Sequence, residues 1–196
     1  MKAYYEARAR EYDDWWLGRG RFEGRDRPGW DDELADLRRT IERLPPARTL
    51  DVACGTGFLT RHLRGEVVGL DQSSTMLGVA AEQAPGVELV QGEGTDLPFD
   101  DRSFDRVFSS HFYGHLDKGE RARFLEEARR VAPELVIIDA SQAHSSVVEE
   151  YQERILNDGS QWEVYKRFFA GEGLAVELGG GRVLHEGRWF VVVASP

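Results

Sequence analysis

The 196-residue chain predicts a single α/β domain built on a doubly wound parallel sheet. Three observations carry this. Apolar strand-like runs alternate with helical patterns five times between residues 49 and 139. The first run, LDVACGTG, enters a glycine turn at Gly55 and Gly57, where the missing Cβ lets backbone bend tightly and approach a ligand. The second, VVGLD, closes on Asp71, sixteen residues after Gly55 and about one helix and one strand later. An acid there suits a ribose-type hydroxyl pair at the carboxyl end of the sheet; its alternative is an N-cap for the helix at Ser73 and Ser74.

Taken in order, residues 3–17 read as a helix in which Tyr5, Tyr12, Trp15 and Trp16 recur at helical spacing. It either packs on the domain body or covers a site. LGRGRF (17–22) is a glycine-broken loop whose arginines meet water or a ligand carboxylate. Leu34, Leu37, Ile41 and Leu44 share one face of a helix over 31–44, which Pro45 and Pro46 end. The first strand is expected over 49–53, and Phe58, Leu59 and Leu63 suggest a helix from the glycine turn to about Arg64. A strand over 67–70, a helix over 73–83, a strand over 87–91 and the loop GEGTDLPF (92–99) follow. The fourth strand spans 104–110, the loop HFYGHL (111–116) comes next, then a helix over 120–131 and a fifth strand over 134–139. The aromatic stretch 141–170 reads as helical. Residues 171–178 form a short helix, and 182–185 with 189–194 a hairpin about Glu186-Gly187.

LDVACGTG, VVGLDQSSTML and VQGEGTDLPFDDRSFDRVFSS, in this order and spacing, resemble the class I S-adenosylmethionine-dependent methyltransferases. More narrowly the chain is similar to the type 11 methyltransferase domain, related to the ubiquinone and menaquinone methyltransferases. The resemblance is specific over about 48–140 and looser at both ends. It implies a Rossmann-like, seven-stranded, mostly parallel sheet with helices on both faces and the last strand antiparallel. It divides a single domain (1–196) into an N-terminal helical lid (1–44), a cofactor-binding core (45–140), and acceptor-side helices with a C-terminal hairpin (141–196). The implied cofactor is S-adenosyl-L-methionine, leaving as S-adenosyl-L-homocysteine. The residues implied to hold it are Tyr12, Asp51, Ala53, Gly55, Gly57, Asp71, Gln72, Met76, Glu93, Gly94 and Ser109. Glu93 stands where the family more often has aspartate, in a loop implied to contact the adenine edge.

Methyl transfer from a sulfonium needs position more than a nucleophilic residue, so no covalent catalyst is expected. Cys54 reads as a small residue packed in the turn. Should the acceptor be a hydroxyl, a general base would help. His111, His115 and His144 lie in loops on the acceptor side; His111, directly after the fourth strand, is the candidate catalytic residue, and Tyr113 a candidate to orient an acceptor. No metal is expected, because Gly114 interrupts the His111/His115 pair.

Composition bounds the partners. The chain is 41% hydrophobic, carries 25 basic against 35 acidic residues for a net charge of −10, and has one cysteine. Such a charge repels a phosphate backbone, so a nucleic-acid partner is not expected. The arginines at 8, 10, 19, 21, 25 and 27 alternate with acids and read as a mixed-charge surface. No apolar run approaches membrane-spanning length and no secretory h-region opens the chain, which predicts a cytoplasmic place, and the resemblance implies a small-molecule methyl acceptor as partner. The oligomeric state, monomer or dimer, stays open. Two alternatives remain: a NAD-dependent oxidoreductase, which Thr60 in place of a third fingerprint glycine disfavours, and a cofactor-binding protein without turnover.

Overall fold

A computed structural model describes residues 2–196. Its centre is a seven-stranded sheet. Strands β1 (Ala47–Val52), β2 (Gly65–Asp71), β3 (Glu88–Gln91), β4 (Arg106–Ser110) and β5 (Glu134–Ala140) are parallel. Strands β6 (Glu149–Ile155) and β7 (Gln161–Arg167) pair apart from it as a two-stranded antiparallel sheet. The last two strands are β8 (Arg182–Glu186) and β9 (Phe190–Ser195). The sheet order is β3-β2-β1-β4-β5-β9-β8, with β9 inserted antiparallel between β5 and β8.

Strand parity sorts the core into two layers. Leu50, Val52, Val107, Leu135, Ile137, Val191 and Val193 face one side. There they pack on α5 (Lys118–Val131), through Phe124 and Ala128, and on α6 (Gly171–Glu177), through Leu174. Phe108, Val136, Ile138, Phe190 and Val192 face the other, against Leu34, Leu37 and Ile41 of α3 (Trp30–Glu42). Helices therefore cover both faces.

The N-terminal segment is helical but broken: α1 (Lys2–Arg8), a 3-10 turn over Ala9–Glu11, then α2 (Tyr12–Leu17), closed by Gly18 at φ 64°. It is bound to the body by side chains. Glu6 accepts from the backbone N–H of Ser74 and Thr75 at the start of α4 (Ser74–Gln83). Asp13 accepts from Thr56 Oγ1 (2.6 Å) and Gln83 Nε2 (2.6 Å).

Two expectations are corrected. No α-helix follows the glycine turn. Thr60–His62 makes only a 3-10 turn, and β2 already begins at Gly65. The seven residues between Gly57 and Gly65 are too few to offset helix nucleation. Moreover a Cβ at Gly65 would sit 2.3 Å from the Ala47 carbonyl oxygen, so pairing with β1 starts right there. Nor is 141–170 helical: beyond a 3-10 turn at Gln142–His144 it is the β6–β7 hairpin. Its turn is Asn157-Asp158-Gly159, with Gly159 at φ 86°. Trp162, Val164 and Lys166 alternate with more exposed residues along β7, the period of a strand rather than a helix.

Candidate active site

Two cavities meet at the carboxyl ends of the parallel strands. The first spans about 490 Å³, counting the space open to solvent, and is walled by Tyr5, Tyr12, Ala53, Gly55, Leu70, Asp71, Gln72, Met76, Gly92, Glu93, Gly94, Ser110, His111 and Phe112. Nine of the twelve residues named from sequence as cofactor-binding or catalytic line it: Tyr12, Ala53, Gly55, Asp71, Gln72, Met76, Glu93, Gly94 and His111.

The glycine turn explains the shape. Ala53 (φ 60°), Gly55 (φ 56°) and Gly57 (φ 77°) all lie in the left-handed region, coiling the chain back over the end of β1. At Gly55 a Cβ would meet nothing within 4 Å: the backbone is bare toward the cavity. The Asp71 carboxylate braces this loop. Its Oδ2 accepts from Gly55 N–H and its Oδ1 from Ser73 N–H, both at 2.9 Å. Burial raises its pKa against the opposing pull of those two bonds. A carboxylate has about four acceptor lone pairs, so two bonds leave capacity for a ligand's hydroxyls.

Three named residues do not line the cavity. Asp51 is buried under the turn and accepts from Thr60 Oγ1 at 2.6 Å, while its Oδ1 has no partner; burial pushes its carboxyl up to about 7. Gly57 packs against Ala80 and Ala84 of the α4 end. Ser109 points into the sheet, donating to the Val52 carbonyl at 2.8 Å. Its neighbour Ser110, on the opposite side of the strand and at its carboxyl end, lines the cavity instead. Tyr5, Leu70, Gly92 and Phe112, none of them among the residues expected to hold the cofactor, line it as well. Gly94 owes its identity to packing: a Cβ there would lie 2.8 Å from Phe112 and 2.9 Å from Val52.

The second cavity, about 1010 Å³, shares only Tyr12 and His111 with the first. Its walls come from the N-terminal segment, the β5 end and the β6–β7 hairpin, and include His115 and His144. Arg8, Arg25 and Arg27, read from sequence as mixed-charge surface, line it too, which corrects that reading for these three.

His111 sits at the junction at φ 51°, a strained conformation for a residue with a Cβ. Its ring is packed edge-on by Trp15 and Trp16, each 5.1 Å away, and by Phe190 at 5.7 Å. Its Nε2 is buried without a hydrogen-bond partner, and Nδ1 lies 3.9 Å from Asp139 Oδ1. Burial and the Lys166 charge depress its pKa to about 3, so the imidazole is neutral at physiological pH. His115, depressed to about 3 for the same reasons, donates from Nδ1 to the Tyr165 carbonyl at 2.7 Å. Asp139 is fully buried. Although burial opposes it, the carboxyl is held low by the Lys166 ammonium. Lys166 Nζ donates to it at 2.5 Å and Gly114 N–H at 2.7 Å. Burial also raises the Tyr12 phenol to about 12. The Tyr113 hydroxyl donates to Glu177 (2.9 Å) rather than into either cavity, so it does not face an acceptor.

The missing helix after the glycine turn bears on chemistry. Dinucleotide sites place a pyrophosphate on that helix N-terminus. Here only a three-residue 3-10 turn stands there, which disfavours the oxidoreductase alternative and fits a ligand without phosphates. Among the described residues no group of three or more His, Cys, Asp or Glu could hold a metal ion, and no helix is long and apolar enough to cross a membrane.

Comparison with known proteins agrees with this geometry. Residues 50–134 match the family described as a methyltransferase domain. The demethylmenaquinone methyltransferase of Thermotoga maritima is 36% identical over 107 residues, 52% of this chain and 44% of that one. An uncharacterised methyltransferase of Alkaliphilus oremlandii is 30% identical over 130 residues, covering 63% and 58%. The chain thus spans about half the length of these curated relatives. Among solved structures, a DhpI–SAM–HEP complex is 28% identical with a TM-score of 0.77, covering 99% of this chain and 95% of that one. A DhpI–SAH complex is 27% identical with a TM-score of 0.73, covering 98% and 92%.

Proposed function

We propose that this chain, which has the class I S-adenosylmethionine-dependent methyltransferase fold and that family's domain over residues 50–134, transfers a methyl group from S-adenosylmethionine to a small-molecule acceptor. One observation carries the reading: two cavities, one walled by the glycine turn and Asp71, meet at a junction formed by Tyr12 and His111.

In this reading the first cavity holds the donor. Asp71 accepts from its ribose hydroxyls with the lone pairs left after Gly55 and Ser73. Glu93 and Gly94 face the adenine edge, Gln72 and Met76 flank the base, and the bare backbone at Gly55 leaves room for the amino-acid tail. When bound, the sulfonium supplies an electrophilic methyl: the acceptor's lone pair forms the new bond to carbon and the C–S pair stays on sulfur as a neutral thioether. The chain's own part is alignment and exclusion of water. Tyr12, protonated at working pH, and the neutral His111 offer one donor and one acceptor where the cavities join. Residues 2–17 serve as the lid, and α3 belongs to the body rather than to a lid. A cytoplasmic place for the enzyme is supported by its lone, buried cysteine.

Thermal-shift and calorimetric titrations with S-adenosylmethionine, S-adenosylhomocysteine and NAD test this. Stabilisation by the first two is expected. Stabilisation by NAD alone would overturn the proposal.

A further inference from the structure

We infer that the second cavity selects an acceptor carrying an oxyanion, such as a phosphoryl or carboxyl group, held by arginines of the N-terminal segment and of the β6–β7 hairpin. This rests on the methyltransferase reading of the joined cavities. The charge balance of the walls is the starting point. A chain of net charge −10 brings four guanidiniums and Lys166 to this cavity, and only one acid, Asp26, lines it with them. Lys166 is paired with Asp139. Among the described residues, Arg8, Arg25, Arg27 and Arg154 have no carboxylate within ion-pair distance.

These arginines are held without being neutralised. Arg8 lies over the rings of Tyr4 (5.5 Å) and Tyr12 (4.9 Å), and donates to the Tyr4 hydroxyl. Arg27 lies 4.1 Å from the Trp30 ring centre and donates to the Trp15 carbonyl at 2.7 Å. Arg25 lies over Phe22 at 4.6 Å. Arg154 comes from the hairpin, where its Nη2 donates to Gln152 and its Nε is buried with no partner. Aromatic faces and backbone carbonyls fix guanidinium planes but leave their charge and several N–H groups unsatisfied. That is the arrangement that receives a planar or tetrahedral oxyanion in forked hydrogen bonds. A neutral, hydrocarbon-tailed acceptor filling the same space would strip water from these cations and return nothing. Arg8 lies over the Tyr12 ring, and Tyr12 and His111 wall both cavities, so an anion gripped by the arginines keeps the rest of the acceptor beside that junction.

The test is calorimetry on the full chain, titrated first with S-adenosylhomocysteine. With that ligand saturating, inorganic phosphate, benzoate and the neutral benzyl alcohol are titrated at constant chloride concentration. Phosphate or benzoate should bind and benzyl alcohol should not; whichever anion binds tighter distinguishes a phosphoryl from a carboxyl group. Arg154→Gln should weaken the anion about tenfold while leaving the S-adenosylhomocysteine affinity within twofold, which also shows that the variant folds. Arg27→Gln is the second variant, with the same expectation. Failure of both anions to bind the loaded protein, or anion affinity indifferent to both substitutions, would overturn the inference and leave the methyltransferase reading standing. Failure of S-adenosylhomocysteine itself to bind would overturn both.

Discussion

Asp51 and Asp71 close neighbouring strands, and the structure gives them opposite duties. Asp71 reaches the cavity, so Asp71→Ala should weaken S-adenosylhomocysteine binding by roughly 1–3 kcal/mol, through lost charge-assisted hydrogen bonds and the freed Gly55 loop; calorimetry measures it. Asp51 stays beneath the turn with its pKa raised to about 7, against 3.8 for an ordinary aspartate. Between those values the folded chain binds a proton that the unfolded chain has released, so this residue's contribution to stability falls as pH rises from about 4 to 7. Asp51→Asn should therefore melt above the parent at pH 8, with the gap closing by pH 4. His115 works in the other sense. Its folded pKa of about 3 lies below the ordinary 6.5, so stability present above 6.5 is lost as pH falls toward 3. His115→Asn should soften that acid loss in pH-dependent melting curves. The sequence marked Asp71 because an acid ending an apolar run is a local signal. It did not separate Ser109 from Ser110, nor show that Asp51 is covered, because which side of a strand faces a cavity depends on what packs over it.

At the scale of elements, local signals were strongest where sequence and packing agree. The helix at 118–131 carries a complete capping box: Asp117 accepts from Glu120 N–H (2.8 Å) and Glu120 from Asp117 N–H (2.9 Å). Asp117→Ala should cost about 1 kcal/mol in chemical denaturation. The hairpin over 149–167 was misread because its aromatics resemble a helical stripe. Its Asn-Asp-Gly turn and period-two alternation were the available signals. That misreading hid Arg154 and Lys166, which belong to the second cavity only because β6 and β7 pair. The stretch after the glycine turn failed for a different reason: its apolar residues do pack, Phe58 stacking on Trp16 at 5.0 Å, but from a turn rather than a helix.

For the molecule as a whole, the N-terminal segment lines both cavities and is held to the body by side-chain hydrogen bonds. Asp13→Ala removes the bonds to Thr56 and Gln83 at once. It should speed limited proteolysis within residues 2–17, and saturating S-adenosylhomocysteine should restore part of the protection. The expected seven-stranded sheet, with helices on both faces and its last strand antiparallel, is present. The sequence by itself determined the five alternating strand-like runs, the glycine turn and the acid beside it, because apolar period, glycine conformation and strand-end position act over a few residues; the count of seven strands and the antiparallel last strand followed from the resemblance to the methyltransferases. Tertiary structure alone decided which arginines stand without a carboxylate, that His111 is neutral and orphaned between two cavities, and that the wall of the second cavity is a hairpin. Those properties come from burial and from charges brought together across more than a hundred residues of chain, from Arg8 to Lys166, which no local pattern encodes.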